Sequence, residues 1–163
     1  MKILYFGGQK SGKSSLAEAK ALSIATQKPY YLATYDTSFG DDEMTKRIGK
    51  HRFSRGEDFI TLEESHHLAG VMEPNHTYLI DCVSMWILNR LEEEEEVLIA
   101  EIEALKEIDA NIVFVLNDVG TGVIPRDTLS RRFVDYSGVI GQELASICDE
   151  VYEVKLGMGI RLK

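Results

Sequence analysis

The chain has 163 residues, 44% of them hydrophobic, enough for one globular domain with a substantial core and no need of a second. A formal net charge of −9 argues against duplex nucleic acid or an anionic membrane as a partner of the whole surface. The apolar runs are too short to span a bilayer, Cys82 and Cys148 lack metal-type spacing, and the opening MKILYFGG lacks signal-peptide architecture, so a cytoplasmic protein with reduced thiols is expected.

Ile3-Leu4-Tyr5-Phe6 is a short apolar strand feeding Gly7-Gly8-Gln9-Lys10-Ser11-Gly12-Lys13-Ser14, a complete Walker A pattern, and a helix-forming segment starts at Ser15. In such a loop glycines let backbone N–H groups close around phosphates. Lys13 is then placed to reach the β- and γ-phosphates of a nucleoside triphosphate, Ser14 to ligate Mg²⁺, and the helix to turn its positive end towards the anion. That helix, Ser15 to Gln27, is expected to pack Leu16, Ala19, Leu22 and Ile24 on one face and to stop at Pro29. A second strand, Tyr30 to Tyr35, runs into a dense turn signal at Asp36 to Gly40. Asp41-Asp42-Glu43 opens a further helix with Met44 and Ile48 inward and Glu43, Arg47 and His51 sharing another face.

Lys46, Arg47, Lys50, Arg52 and Arg55 follow one another without a single acid between, in a chain where acids outnumber bases 27 to 18. A charge run of this kind is usually a solvated helix face, but beside a polyphosphate site it reads as an anion-binding segment. Its positive charge disfavours protonation of His51 and so favours the neutral, nucleophilic imidazole.

Phe59 to Leu62 is another β-like stretch, followed by Glu63 and Glu64, and His66-His67 fall at an expected helix start on the surface with no chemistry assigned. Tyr78-Leu79-Ile80-Asp81 is an apolar strand ending in an acid, the Walker B arrangement in which the aspartate approaches Mg²⁺. Cys82 to Leu91 reads as a buried helix with Trp86 in the core, and Glu92 to Ile108 as an acidic helix with Leu98, Ile102 and Leu105 inward. Asn111 to Leu116 is a core strand that feeds the polar, glycine-containing loop Asn117 to Pro125, at the strand end where open α/β sheets bind ligands. Arg126 to Ile147 forms a long helix or a helix pair interrupted near Gly138, with Arg131 and Arg132 as phosphate partners or surface charge. Val151 to Leu156 and Ile160 to Leu162 are strands expected to pair antiparallel through the turn Gly157 to Gly159. The alternation gives an α/β protein, a mainly parallel sheet flanked by helices with an antiparallel strand at the C-terminal end, in a single P-loop nucleotide-binding domain over residues 1–163.

Taken in order, GGQKSGKS, YLAT, the DDEM, RI, HR and RG of residues 41–56, Thr61 and Glu63, LIDC, NDVGTGVIP, Arg132 to Asp135 and the closing DEVYEV and LGMGIRLK resemble the bifunctional adenosylcobinamide kinase / adenosylcobinamide-phosphate guanylyltransferase family of cobalamin nucleotide-loop assembly. The resemblance implies a RecA-like P-loop NTPase domain, assembled as a homo-oligomer, a trimer. It implies phosphorylation of adenosylcobinamide by a nucleoside triphosphate, GTP or ATP, and then transfer of GMP from GTP to adenosylcobinamide phosphate through a guanylylated histidine. By motif, His51 is the covalent nucleophile and Lys13 the phosphate-contacting lysine. Nucleotide contacts fall on Gly7, Gly8, Gln9, Lys10, Ser11, Gly12, Lys13 and Ser14, on Ala33, Thr34 and Tyr35, on Arg52, Phe53, Ser54 and Arg55, and on Glu63 and Asp81, with Ser14 and Asp81 as the Mg²⁺ ligands. Lys50 stands where some relatives carry the first of two adjacent histidines. Two other readings fit the same residues: a single-activity P-loop kinase for another small alcohol without a covalent intermediate, and a non-catalytic nucleotide-binding regulator.

Overall fold

The structure, a computed structural model, describes residues 1–35 and 57–163. The helix expected from Asp41, with His51, Arg52, Phe53, Ser54 and Arg55, lies outside the described residues. Within them the strands are β1 (Lys2–Gly7), β2 (Tyr30–Ala33), β3 (Ile60–Glu63), β4 (Thr77–Asp81), β5 (Asn111–Asn117), β6 (Glu150–Lys155) and β7 (Met158–Arg161). The helices are α1 (Lys13–Ile24), α2 (Val83–Asn89), α3 (Glu95–Glu107) and α4 (Thr128–Ile147), with a short 3₁₀ turn at Ala69–Val71.

The strands form one sheet in the order β3-β2-β4-β5-β1-β6-β7, parallel throughout except for the β6–β7 hairpin. A parallel sheet is stable only when both faces are covered, and the side-chain alternation of the central strands supplies two cores. Leu4, Tyr78, Ile80, Ile112, Phe114 and Leu116 face α2, α3 and α4, where Trp86, Leu98, Ile102, Leu105, Ile140 and Leu144 complete one cluster. Ile3, Tyr5, Leu79, Val113 and Val115 point the other way and pack with Ala17 and Ala21 of α1. Trp86, fully buried, serves the core as expected, with its indole N–H donating to the carbonyl of His66 at 2.8 Å.

Two local readings need correction, and a third resolves between its alternatives. Helix α1 begins at Lys13; Leu16 and Ile24 pack half-buried against the core as expected, but the buried positions are Lys13, Ala17 and Ala21, and Ala19 and Leu22 are exposed. The small alanines, rather than the larger apolar residues, are what let the helix approach the sheet. His66 and His67 do not start a helix: the Glu64 carboxylate accepts from both of their backbone N–H groups, at 2.8 and 2.9 Å, and fixes a bend before the 3₁₀ turn. Of the two possibilities for residues 126–147, one continuous helix is present, started by Asp127, whose carboxylate accepts from the backbone N–H of Ser130 at 2.8 Å. Gly138 does not break it, although glycine inside a helix costs about 1 kcal/mol relative to alanine. Arg131 and Arg132 are occupied locally: Arg131 donates to the Pro125 carbonyl at 3.2 Å, and Arg132 to the Glu93 carbonyl at 2.8 Å and the Tyr136 hydroxyl at 2.7 Å.

Candidate nucleotide site

Parallel pairing brings the C-terminal ends of β1, β5 and β4 into one row. Gly7 is the register partner of Asn117, Asp81 that of Val115, and a single strand separates the Walker A strand from the strand ending in Asp81.

The loop leaving β1 is fixed by its own backbone. Ser11 N–H donates to the Gly8 carbonyl at 3.2 Å, Asp118 N–H to the Gly7 carbonyl at 2.9 Å, and Gly157 N–H to the Ser11 carbonyl at 2.7 Å. Two glycines are dictated by this packing. A Cβ on Gly7 would lie 2.4 Å from the Val154 carbonyl oxygen, and Gly12 has φ +98 with a would-be Cβ 3.0 Å from the Cα of Gly157. Lys10 also takes a left-handed φ of 57. Gly12 gives α1 no side-chain cap and the first turn holds no acid, so the amide donors at the helix start are left for an incoming anion. The Ser11 hydroxyl is buried and has no hydrogen-bond partner among the described residues.

Lys13 is only 6% exposed, and its ammonium donates to the Gly8 carbonyl at 3.1 Å, which holds it over the loop. The Ser14 hydroxyl lies 3.5 Å from Asp81 Oδ1. A hydroxyl and a carboxylate this close are hard oxygen donors of the kind Mg²⁺ takes from a protein, the rest of its octahedron coming from substrate phosphates and water. Among the described residues no three His, Cys, Asp or Glu side chains gather into a metal site of their own.

The second group of expected contacts joins the first through the β4 end. Ala33 pairs with Glu63 in register, and the Ala33 carbonyl accepts from Glu64 N–H at 3.1 Å. The buried Thr34 hydroxyl donates to the Cys82 carbonyl at 2.7 Å, and Tyr31, which the sequence did not single out, donates to the Asp81 carbonyl at 3.0 Å. Asn89 bonds the Thr34 and Ser65 carbonyls at 2.7 and 3.0 Å, clamping the ends of β2 and β3 together. The Tyr35 hydroxyl is buried without a partner among the described residues. Gly7 to Ser14, Asp81, Thr34, Ala33 and Glu63 thus lie along one edge, while Arg52, Phe53, Ser54, Arg55 and His51 are outside the described residues. Tyr31, Asn89 and Gly157 carry no motif, because their roles arise from contacts distant in sequence. Cys82, beside Asp81, is no rival nucleophile: burial, and then the Asp81 charge, push its thiol up to about 11.

The described fold agrees with what the chain is similar to. A family model described as cobinamide kinase / cobinamide phosphate guanyltransferase matches residues 3–162. The chain is 37% identical over 175 residues to the bifunctional adenosylcobalamin biosynthesis protein CobP of Pseudomonas aeruginosa, covering all of this chain and 98% of the relative. It is 35% identical to the bifunctional adenosylcobalamin biosynthesis protein CobU of Escherichia coli and 31% identical to that of Salmonella typhimurium, each over the full length of both chains. A solved structure of a protein from Pyrococcus horikoshii aligns with 99% of this chain and 85% of its own, at a TM-score of 0.58 and 10% identity, a likeness of fold alone.

Proposed function

Since the chain belongs to the cobinamide kinase / cobinamide phosphate guanyltransferase family, we infer that it carries out both transfers on one corrinoid. The observation that carries the reading is the full-length match joined to a Walker A loop whose Lys13 is buried at the phosphate end and whose Ser14 lies beside Asp81. In the kinase step the aminopropanol hydroxyl of adenosylcobinamide attacks the γ-phosphorus of GTP or ATP, its proton leaves, and the nucleoside diphosphate departs. Loop amides and Lys13 hold the equatorial oxygens, whose negative charge is what the barrier depends on. Bound Mg²⁺ supplies charge neutralisation of the phosphates, and Ser14 and Asp81 are the residues that would hold it.

In the second step a neutral imidazole nitrogen of His51 attacks the α-phosphorus of GTP, a P–N bond forms and pyrophosphate leaves. A phosphate oxygen of adenosylcobinamide phosphate then displaces the histidine and yields adenosylcobinamide-GDP. The cation-rich segment 46–55 supports His51 in this role, with Arg52 to Arg55 binding nucleotide on the same stretch. Ala33 to Tyr35 and Glu63, tied to Asp81 through Cys82 and Tyr31, contact the nucleotide from the β2 side. We place the reaction in the cytoplasm and the chain in a homo-oligomer, a trimer by family resemblance; among the described residues no helix is long and apolar enough to cross a membrane.

The test is product analysis with Mg²⁺, GTP and adenosylcobinamide. The corrinoid should pass first to the phosphate and then to the GDP ester, with one pyrophosphate released per ester. Accumulation of the phosphate alone would leave the single-activity kinase.

A further inference from the structure

Beside the Walker A loop, on the sheet face covered by α4, lies a cleft of about 330 Å³. Its mouth includes Asn117, Asp118 and Gly120, and Asp118 is hydrogen-bonded to Gly7 at 2.9 Å, so the cleft opens next to the phosphate end of the loop. Its walls are apolar, formed by Leu4, Phe6, Leu116 and Val151 from the sheet. From α4 come Ser137 and Gly138.

Two independent features of that helix point to an occupant. Ser137 is 6% exposed and its hydroxyl has no partner among the described residues, a state that buried hydroxyls rarely keep unless something else bonds them. Gly138 sits inside a continuous helix, where glycine is disfavoured, and packing does not require it: a Cβ there would meet no atom within 4 Å. Gly138 is exposed and lines the cleft, so a larger side chain there would enter it without crowding the protein.

We propose that this cleft is the acceptor subsite, taking the aminopropanol side arm of the corrinoid, with its methyl group against the sheet residues and its amide bonded to the Ser137 hydroxyl. This deepens the functional reading above and rests on it. A cavity near the low end of the small-molecule range, roughly 300–1,000 Å³, excludes a whole corrin ring and admits the arm. The ring then stays outside the cleft. The hydroxyl of the arm is delivered to the C-terminal end of β5, the strand between the Walker A strand and Asp81, so it meets the γ-phosphate there.

The test fills the cleft without crowding the protein. Gly138→Leu should raise KM for adenosylcobinamide by at least about tenfold, with GTP affinity measured without corrinoid held within about twofold and the oligomer mass unchanged. Ser137→Ala should raise the same KM by about threefold or more, consistent with one lost hydrogen bond. If Gly138→Leu does not fold, Gly138→Ala takes its place, since helix preference then favours the folded state and any rise in KM is due to the filled space. An unchanged KM in these variants, or a change of oligomer mass in place of a change in KM, overturns the subsite. Failure of the wild-type protein to phosphorylate adenosylcobinamide at all would overturn instead the functional reading on which the subsite rests.

Discussion

Two loops leave the sheet side by side, after the register partners Gly7 and Asn117, and they are built in opposite ways. The first is short and locked: Lys13 is buried, Gly7 and Gly12 have no room for a side chain, and one backbone hydrogen bond closes the loop on itself while two pin it to its neighbours. The second runs from Asp118 to Asp127 past the exposed Val123 and Ile124, tethered at its ends by Asp118 N–H to Gly7 and Arg131 to the Pro125 carbonyl, with Gly120 N–H bonded to its own loop's Asp118 carboxylate at 3.3 Å. A loop that must present amides and an ammonium to a small, fixed anion gains from positions set in advance. A loop that borders a bulky acceptor has nothing to gain from closing early. Rigidity therefore follows the part of the substrate that is the same in every turnover, the triphosphate.

Removing the charge of the locked loop should have the largest effect. Lys13→Ala is expected to lower phosphoryl transfer by about 10²–10³-fold, as loss of one preorganised charge donor does, with circular dichroism unchanged. Crowding the same loop comes next. Gly7→Ala forces a Cβ against the Val154 carbonyl and should destabilise the protein by about 1–3 kcal/mol in denaturant titration, with GTP binding lost alongside. If it instead melted like the wild type and bound GTP, the loop would be looser than its contacts indicate. The open loop should respond least: Val123→Ser and Ile124→Ser are expected to shift stability by no more than about 0.5 kcal/mol.

The far end of that loop offers a finer comparison through pH. The backbone N–H of Ser130, and then its side chain, hold the Asp127 carboxyl below the usual carboxylate range. A carboxylate with a lowered folded-state pKa stabilises above its unfolded value and loses that contribution as pH falls through the folded one. The melting-temperature gap between wild type and Asp127→Ala should thus be full at neutral pH and close below about pH 4. A gap that stayed constant into acid would remove the helix-start role of Asp127.

The regions most legible in the sequence are those where chemistry is local. Gly7 to Ser14 and Asp81 could be read because each motif lies on a strand end, and the strand order then places them one strand apart. The inward residues Leu98, Ile102 and Leu105 of α3 were equally plain, since a solvated helix shows its apolar stripe directly. The same rule misread α1, where the tight approach to the sheet selects Ala17 and Ala21 and leaves Leu22 outside. Gly138 gave a break signal that the surrounding helix overrides. Tyr31, Asn89 and Gly157 act through partners 24 to 146 positions away (89 − 65 to 157 − 11), and no local pattern encodes such a contact.

The central claim is a covalent guanylyl enzyme, and the most direct measurement uses Mg²⁺ with GTP labelled separately at the α- and γ-phosphates. The protein should retain the α label and not the γ label, in a bond stable to alkali and labile to acid as a phosphoramidate is, and His51→Ala should lose the adduct while still phosphorylating adenosylcobinamide. Retention of α label by His51→Ala, or no adduct in a wild-type protein that phosphorylates the corrinoid normally, would contradict it.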